Sequence, residues 1–337
     1  MKILFLLKKQ NNYGNYSFKG LSSGLFNSAK MTEESLEEHL DIEADLKICI
    51  DGNSIDKELN EYRPDVCIIE AIWVTPKKIQ ELQKLYKDLL FVIRIHSEVP
   101  FLANEGVAID WIKEYKKISN VSVAFNSKEA QTSFMATLYT NFPYLPNIYS
   151  GCDDRNFLGE FKNKKVIDIG CFGALRPMKN QLFQAFASIS LGNYQNKLIR
   201  FHVNSTRQEQ GGESVVKNLR ALFKNTKHEL VEHSWLPHEE FLGLISNMDL
   251  GMQLSFNESF NIVAADFVSQ GIPIIVGNTI EWLPEESKTS TTNIEAVVKK
   301  MLHALKNGNS LVRKEKKSLK RYNEEALEAW EDFITTC

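Results

Sequence analysis

The chain lacks the features that mark several large classes of protein. It has no apolar run near the roughly 18 residues that a membrane-spanning helix requires, and residues 1–9 contain only five consecutive apolar side chains, fewer than the core of a secretory signal peptide. The five cysteines are odd in number and far apart, with no CxxC pair and no Cys/His spacing typical of zinc. These absences predict a soluble, cytoplasmic protein with reduced thiols.

An excess of positive charge is absent as well. The formal net charge is -3, so the chain as a whole has no field that would hold a phosphate polymer by counterion release. One basic segment, residues 313–321 (RKEKKSLKR), stands out near the C-terminus, although a charged run on a terminal helix is usually solvated surface. Nucleic-acid binding is therefore disfavoured except through a local basic surface.

The length and composition are those of a two-domain globular protein. The chain has 337 residues, whereas single hydrophobic cores stop growing near about 250 to 300. Hydrophobic residues make up 43% of it and charged residues 25%, close to the averages for soluble proteins. Residues 142–165 carry prolines, Gly, Asn and Asp, followed by lysines, which is typical of a linker between two domains.

Short β-rich apolar runs alternate with amphipathic helical segments on both sides of this linker. This alternation is the pattern of βαβ units and parallel sheets. The predicted strands are residues 2–7, 46–50, 65–71, 90–95, 121–125, 165–171, 198–203, 228–232, 249–254 and 272–276. The predicted helices are residues 20–39, 54–61, 75–87, 105–117, 178–190, 213–224, 237–247, 259–270, 293–306 and 310–334, with Asp51, Ser54 and Thr75 as caps.

The pattern predicts an α/β fold of two Rossmann-like, doubly wound lobes. Residues 1–150 form the first lobe, residues 151–314 form the second, and a C-terminal helix of about residues 315–337 packs back on the first. Ligands of open parallel sheets bind outside the carboxyl ends of the strands, so two such lobes are expected to face each other across a ligand-binding cleft.

One candidate phosphate site follows a predicted strand. Residues 170–180 (GCFGALRPMKN) combine a glycine turn at Gly173, the cations Arg176 and Lys179, and the start of a helix. Glycine lets the backbone approach a phosphate, and helix N-termini favour anions. The segment matches neither the P-loop nor the GxGxxG pattern, which disfavours an NAD-dependent enzyme. A capped turn with surface cations explains the same residues.

Two acidic residues follow a later strand. In residues 253–266 (QLSFNESFNIVAAD), a helix that starts at Ser259 places Glu258 at its N-cap edge and Asp266 two turns along on nearly the same face. The free amides around Phe260 and Asn261 are then expected to point at the same ligand. Many surface helices carry two such acids without binding anything.

The segment from Glu258 to Asp266, with residues 271–273 (GIP), resembles the signature of retaining GT-B glycosyltransferases of the group 1, family 4-like type. In that family a glutamate, seven residues and a second glutamate precede a buried Gly-x-Pro strand. The resemblance implies that Glu258 contacts the donor sugar and that Asp266 binds the ribose of the nucleotide. Aspartate shortens the reach by one methylene, and Asn261 stands where many members have glycine.

The resemblance extends to the phosphate loop and to the segment around the base. Lys179 matches the family's phosphate-binding lysine, whereas Ala174 occupies the usual arginine position and Arg176 falls two residues later. Residues 231–241 (VEHSWLPHEEF) resemble the segment that frames the base, and Trp235 either stacks on the base or belongs to the core. The implied donor-binding residues are Gly173, Arg176, Lys179, Ser234, Trp235, Leu236, Ser259, Phe260, Asn261, Ile262 and Asp266.

The first lobe contributes a histidine at a strand end. In residues 91–100 (FVIRIHSEVP), His96 resembles the family's histidine near the reacting sugar, which makes His96 and Glu258 the candidate catalytic residues. A neutral imidazole bonds a sugar hydroxyl near pH 7, although a lone histidine after a strand is more often structural. The acceptor-side candidates are Tyr13, Asn15 and Glu98. Residues 146–157 resemble the interdomain hinge, and Ser127 caps the helix that follows it.

The resemblance implies transfer of a sugar from a UDP- or GDP-sugar to an unidentified hydroxyl with retention. No acidic pair of the Asp-x-Asp kind follows a nucleotide-binding strand, so no metal or other cofactor is predicted to be required. Lys179 and a helix N-terminus would stabilise the departing diphosphate. The acceptor is a glycan, a lipid, a small molecule or modified DNA. A DNA-modifying enzyme acting on hydroxymethylated bases is one alternative, since the compact size and frequent Asn and Lys resemble phage-encoded glycosyltransferases. A GT-B-shaped sugar-nucleotide epimerase and a non-catalytic carbohydrate-binding module are others. The sequence does not indicate the oligomeric state.

Overall fold

A computed structural model describes residues 1–9, 23–151 and 164–337. These residues fall into two compact units. The first unit contains residues 1–9 and 23–150 together with Tyr322–Cys337, and the second lies within Gly151–Arg321. The acceptor-side candidates Tyr13 and Asn15, and residues 152–157 of the expected hinge, lie outside the described residues.

The first unit is built on a five-stranded parallel sheet in the order β2-β1-β3-β4-β5. Its apolar side chains alternate between two core clusters, with Leu4 and Leu6 in one and Ile3 and Phe5 in the other. Because both faces of the sheet are covered, its central strands are apolar almost throughout. The strands are β1 Lys2–Lys8, β2 Glu43–Cys49, β3 Val66–Glu70, β4 Leu90–Ile95 and β5 Val121–Phe125. The helices are α1 Ser23–His39, α2 Ile55–Tyr62, α3 Pro76–Leu85, α4 Val99–Leu102, α5 Ala108–Tyr115 and α6 Lys128–Leu138.

The second unit repeats this architecture with the sheet order β10-β9-β6-β7-β8, again parallel throughout. Its core joins strand residues such as Ile169 and Phe201 to apolar faces of the flanking helices. The strands are β6 Val166–Gly170, β7 Leu198–Asn204, β8 Glu229–His233, β9 Leu250–Gln253 and β10 Ile274–Val276. The helices are α7 Gln181–Gln195, α8 Gly212–Phe223, α9 His238–Ile245, α10 Ile262–Ser269 and α11 Ile294–Lys306.

The last helix, α12 Gly308–Thr336, contributes residues to both units. In the second unit, Glu315 accepts a hydrogen bond from the backbone N of Ile274 at 3.2 Å. In the first unit, Trp330 is fully buried and its Nε1 donates to the carbonyl of Pro146 at 2.9 Å. The crossover helix predicted from the sequence is therefore present, and each half of it is anchored by a buried side chain.

Every predicted strand overlaps an observed one, and the α/β fold of two parallel sheets is confirmed. Among the expected caps, Thr75 accepts from the N of Lys78 at 3.2 Å and Ser127 accepts from the N of Ala130 at 3.2 Å. Ser54 makes no capping bond, because its hydroxyl donates instead to the carbonyl of Asp51. Within the described part of the chain, no helix has both the length and the apolar character needed to cross a membrane.

Candidate functional site

The glycine loop of the second unit lies at the carboxyl end of β6. Gly173 has φ +110°, a left-handed conformation that favours glycine, and its N donates to Asn204 Oδ1 at the end of β7, 3.0 Å away. The loop then forms a 3-10 turn, Pro177–Lys179, before α7 begins. Asn180 Nδ2 donates to the carbonyl of Leu254, just after β9, at 3.1 Å. The loop is thus fixed against three strand ends, where ligands of parallel sheets bind.

Helix α10 begins at Ile262, so the expected start at Ser259 is wrong. Asn261 has φ +62° and caps the helix, with Oδ1 accepting from the N of Ala264 at 2.9 Å. This left-handed residue turns the chain just before the helix, and its Nδ2 also donates to Gln253 Oε1 at 3.0 Å. Glu258 consequently belongs to the preceding loop, and it does not share a helix face with Asp266.

Two other residues of this loop were predicted to bind the donor. Phe260 is buried, stacks on Trp282 and accepts a hydrogen bond from the Trp282 Nε1 at its carbonyl, 2.7 Å away. Ser259 is half-buried. Because α10 starts at Ile262, Phe260 and Asn261 precede the helix and their amides do not belong to its first turn. Ile262 is half-buried.

Lys179 and Glu258 form an ion pair in the second unit, in which Lys179 Nζ donates to Glu258 Oε1. Their side chains are 15% and 9% exposed, so the pair is only partly solvated. The backbone N of Phe256 donates to the carbonyl of Met178 at 3.0 Å, which ties the two segments together beside the pair. The structure thus brings together the predicted phosphate-binding cation and the predicted sugar-binding acid.

Asp266 is buried on α10 and its Oδ1 lies 2.8 Å from Nε2 of His238, the first residue of α9. Burial alone would lower the pKa of His238, but the hydrogen bond and charge of Asp266 outweigh burial and raise it. Sequence reasoning missed His238. The available signal was its place two residues after Leu236, at the start of a predicted helix.

Arg176 is near an acidic partner in the structure. Its Nη1 lies 3.4 Å from Glu209 Oε2, while Arg207 Nη2 lies 2.6 Å from Glu209 Oε1. Arg207 in turn lies over the ring of Trp235, with its guanidinium carbon 4.5 Å from the ring centroid. Trp235 is only half-buried, so it is not a core tryptophan, and Arg207 covers one of its faces.

The remaining residues of the predicted base-binding segment follow β8. Ser234 is exposed and Leu236 is half-buried. The carbonyl of Ser234 accepts a hydrogen bond from Asn204 Nδ2 at 3.3 Å. Since Asn204 also holds the N of Gly173, one amide side chain joins the glycine loop to this segment.

A chain of polar side chains that sequence reasoning missed leads to the same segment. His202 Nε2 lies 2.9 Å from Asp168 Oδ1, and His202 Nδ1 lies 2.9 Å from Nε2 of His233, the residue before Ser234. Burial raises the pKa of Asp168, but hydrogen bonds from His202 and Arg200 outweigh it and bring that pKa to about 2. Burial and the neighbouring His202 lower the pKa of His233.

In the first unit, His96 follows β4 and is held by two neighbours. Its Nε2 is hydrogen-bonded to Glu70 Oε2, and Asn126 Nδ2 donates to its Nδ1 at 3.2 Å. With Nδ1 accepting, the proton of a neutral ring is on Nε2, facing the carboxylate. Burial lowers the pKa of His96 despite the opposing effect of Glu70. The imidazole is therefore neutral at pH 7 and fixed in one orientation.

Glu70 and Arg94 form a fully buried ion pair behind His96, which the sequence analysis did not identify. Arg94 Nη1 donates to both Glu70 oxygens, at 2.9 and 3.2 Å. Arg94 also donates to the carbonyl of Leu145 at 2.8 Å and to Asn147 Oδ1 at 2.7 Å. Burial raises the pKa of Glu70, but the charge of Arg94 and the hydrogen bonds from Arg94 and His96 outweigh it and lower that pKa. The available signal was a charged residue inside each of two apolar strands.

Of the three acceptor-side candidates, Glu98 is the one within the described residues. It is 5% exposed and precedes α4 as its N-cap residue. Its carbonyl accepts from the backbone N of Phe101 and of Leu102, which gives it a local structural role. Among the described residues, no group of three or more His, Cys, Asp and Glu side chains is arranged to hold a metal ion. Independence from metal stays a prediction.

No family model and no curated protein matches the chain. Solved structures do match it. Sucrose-phosphate synthase from Thermosynechococcus elongatus has a TM-score of 0.69 at 9% identity, covering 100% of both chains. The N-terminal domain of Candida albicans trehalose-6-phosphate phosphatase has a TM-score of 0.66 at 13% identity, covering 99% of this chain and 96% of that one. A UDP-forming α,α-trehalose-phosphate synthase from Burkholderia xenovorans has a TM-score of 0.65 at 12% identity, covering 85% and 76%.

At such low identity these similarities concern the fold alone. They confirm the predicted GT-B fold of two Rossmann-like lobes. Because one of the matching structures is a domain of a phosphatase, the fold by itself does not decide the activity. The activity has to be argued from the site residues.

Proposed function

We propose that the chain is a glycosyltransferase that moves a sugar from a nucleoside diphosphate sugar to an acceptor hydroxyl with retention of configuration. The observation that carries this proposal is the ion pair of Lys179 and Glu258 at the carboxyl edge of the second sheet. One matching structure is named as a UDP-forming synthase, which supports a UDP-sugar as the first donor to test.

The ion pair fits a ligand that carries an anionic part and a hydroxyl-bearing part. A diphosphate is the natural partner of the Lys179 ammonium, and sugar hydroxyls are natural donors to the Glu258 carboxylate. Such a ligand gives each charged group a new partner when it separates the pair, so neither is left buried and uncompensated. As the bond to the sugar breaks, Lys179 stabilises the negative charge that develops on the diphosphate.

We assign the nucleoside to the neighbouring segment of the second unit. Ser234 is exposed there, Leu236 is half-buried, and Trp235 is a half-buried aromatic ring with the Arg207 guanidinium over one face. A purine or pyrimidine ring stacks on an aromatic ring of this kind. Asp266 and its partner His238 provide polar groups for the ribose.

We assign the acceptor to the first unit, with His96 as its candidate catalytic residue. Both nitrogens of the neutral imidazole are engaged, Nε2 by Glu70 and Nδ1 by Asn126, so a sugar hydroxyl bonds the ring by taking the place of Asn126 at Nδ1. The names of the structural relatives make sugar phosphates the first acceptors to test. Glycans, lipids and hydroxymethylated DNA follow as further acceptors. The described cysteines are free and three of them are buried, which fits a cytoplasmic protein.

The test is a matrix of donors and acceptors. UDP-, GDP- and ADP-sugars are each incubated with sugar phosphates and with the other acceptor classes in the presence of EDTA, and products are identified by mass spectrometry. A new glycoside together with free nucleoside diphosphate is expected from at least one combination. Isomerisation of the donor without an acceptor would instead indicate an epimerase, and binding without any conversion would indicate a non-catalytic module.

Two variants make this result specific to the site. Lys179→Met should abolish product formation, because the diphosphate loses its cation. Lys217→Met is the matched control, since Lys217 is an exposed lysine on α8. Equal loss in both variants, or in neither, contradicts the proposed role of Lys179.

A further inference from the structure

His238 and Asp266 form a hydrogen-bonded pair in which only one member is accessible. The side chain of Asp266 is 2% exposed, whereas that of His238 is 22% exposed. The imidazole is the more exposed member of the pair, with Nε2 2.8 Å from Asp266 Oδ1. A ligand that approaches from solvent therefore reaches the imidazole more readily than the carboxylate.

The second ring nitrogen of His238 is available to a ligand. Nε2 is used by Asp266, and Nδ1 has no hydrogen-bond partner among the residues that the structure describes. The Asp266 carboxylate accepts from Nε2, which fixes the ring plane and thereby the direction of Nδ1. The raised pKa of His238 favours the doubly protonated ring, whose Nδ1–H donates to an oxygen atom.

The ring of Phe172 connects the glycine loop to the two helices that carry His238 and Asp266. The ring centroid of Phe172, the residue before Gly173, is 5.2 Å from that of Phe241 on α9 and 6.1 Å from that of Phe267 on α10. His238 begins α9 one turn before Phe241, and Asp266 precedes Phe267. The two helices therefore bring His238 to the same edge of the sheet as the loop that carries Lys179.

We infer that His238, held by Asp266, is the residue that contacts the ribose hydroxyls of the bound nucleotide. This inference rests on the proposed function, and it changes the assignment that the sequence resemblance implies for Asp266. The carboxylate acts as a positioning group behind the ring, and Nδ1 of His238 meets the 2′-hydroxyl. The imidazole thereby extends a carboxylate that is too deeply buried to reach the ligand itself.

The test combines a side-chain deletion with a ligand deletion. Isothermal titration calorimetry at pH 7 compares UDP with 2′-deoxy-UDP, and likewise the GDP and ADP pairs, on the full chain. One lost hydrogen bond corresponds to about threefold to tenfold in affinity. The wild-type chain should prefer the ribonucleotide by about that factor, and His238→Ala should bind both forms equally, within about twofold.

Two further variants separate contact from structure. His238→Gln keeps a polar side chain at the same place, so it should fold like the wild type and lose most of the preference. His303→Ala on α11 is the matched control, because this histidine lies in the last turn of another helix, where its Nδ1 is 3.3 Å from Asn307 Nδ2. Its preference for the ribonucleotide should equal that of the wild type.

Two outcomes overturn the inference in distinguishable ways. If the wild-type chain prefers the ribonucleotide and both His238 variants keep that preference, the 2′-hydroxyl is bound by another group and His238 has only a structural role. If the wild-type chain binds no nucleoside diphosphate at all, the proposed function fails together with the inference. The first outcome leaves the proposed function standing.

Discussion

Lys179 Nζ donates a charge-assisted hydrogen bond to Glu258 Oε1 and so joins the glycine loop to the loop before α10. Both side chains are mostly buried, and each is the other's counterion. If Lys179 binds the diphosphate as proposed, the diphosphate has to compete with Glu258 for it. We therefore expect the ion pair to hold both side chains in place and to weaken the affinity for a nucleoside diphosphate that carries no sugar.

Replacing Glu258 should separate binding from turnover. In Glu258→Gln the lysine loses its charged partner, so affinity for free UDP or GDP should rise several-fold. Sugar transfer should fall by at least about 100-fold, the usual scale for losing a charged transition-state contact. Calorimetry and product formation measure the two effects. Glu240→Gln, an exposed glutamate on α9, serves as the control and should change neither. Weaker binding of the free nucleoside diphosphate to Glu258→Gln would contradict the competition between Glu258 and the diphosphate.

Replacing Lys179 should weaken the binding of the diphosphate group and leave the binding of the nucleoside unchanged. Hydrogen bonds to charged groups contribute about 1.5–3 kcal/mol, so Lys179→Met should weaken nucleoside diphosphate binding by roughly 10- to 100-fold. Binding of the uncharged nucleoside should stay within about twofold. A titration series of nucleoside, monophosphate and diphosphate measures this difference. A uniform loss over the whole series would mean that the variant disturbs the fold of the site.

The buried pair behind His96 should matter mainly for stability. Arg94→Met leaves the Glu70 carboxylate in the core without its main counterion, and breaking such pairs costs about 3–5 kcal/mol. The unfolding temperature of the first unit should fall accordingly, as measured by calorimetry. Arg313→Met, an exposed arginine of α12, is the control and should melt like the wild type. An unchanged melting temperature in Arg94→Met would contradict the structural role.

Replacing His96 should affect activity, whereas replacing Arg94 of the ion pair behind it should affect stability. His96→Asn removes the imidazole but leaves the Glu70–Arg94 pair in place, so sugar transfer should fall by about 100- to 10,000-fold with little change in melting temperature. Activity and melting are measured on the same preparation. If this variant keeps full activity, His96 has no role in the reaction.

The sheets could be predicted from the sequence because their signal is local. Strand β4 is an apolar run whose predicted limits, residues 90–95, match the observed Leu90–Ile95. The start of α10 could not be predicted in the same way. The apolar periodicity runs on through Phe260, whereas the helix starts only where Asn261 adopts a left-handed conformation and caps it.

Site residues that belong to a sequence motif could be predicted, whereas site residues that are defined by a tertiary contact could not. Lys179 and Glu258 were both identified from motifs far apart in the chain, and the structure pairs them. His238 was missed, since its partner Asp266 lies on another helix and no spacing rule links the two. Glu70 and Arg94 were missed because each lies in a strand that is otherwise apolar. A single charged residue does not change the prediction of a buried strand.

The buried Glu315 of α12 predicts a pH dependence of stability. Burial raises its pKa to about 8, compared with about 4.5 in the unfolded chain. Between these values the unfolded chain releases the proton while the folded chain keeps it, so the contribution of this group to stability falls as the pH rises from about 4.5 to about 8. Its Oε2 has no partner within the described residues, which fits a protonated acid.

Glutamine mimics the protonated form of Glu315 and does not titrate. Glu315→Gln should keep the bonds from Ser287 and Ile274, and its melting temperature should exceed that of the wild type increasingly from pH 5 to pH 8. Calorimetry across this range measures the difference. Glu328→Gln, exposed on the same helix, should follow the wild-type curve. A constant offset between Glu315→Gln and the wild type would contradict a raised pKa.

Retaining sugar transfer is tested most directly by proton NMR of a single reaction that contains the preferred donor and acceptor. The early spectra report the anomeric configuration of the new bond before it can equilibrate. The account predicts a glycoside with the same anomeric configuration as the donor, formed by the wild-type chain and absent with Glu258→Gln. A product of inverted configuration, or the same product formed at an equal rate by Glu258→Gln, would contradict it.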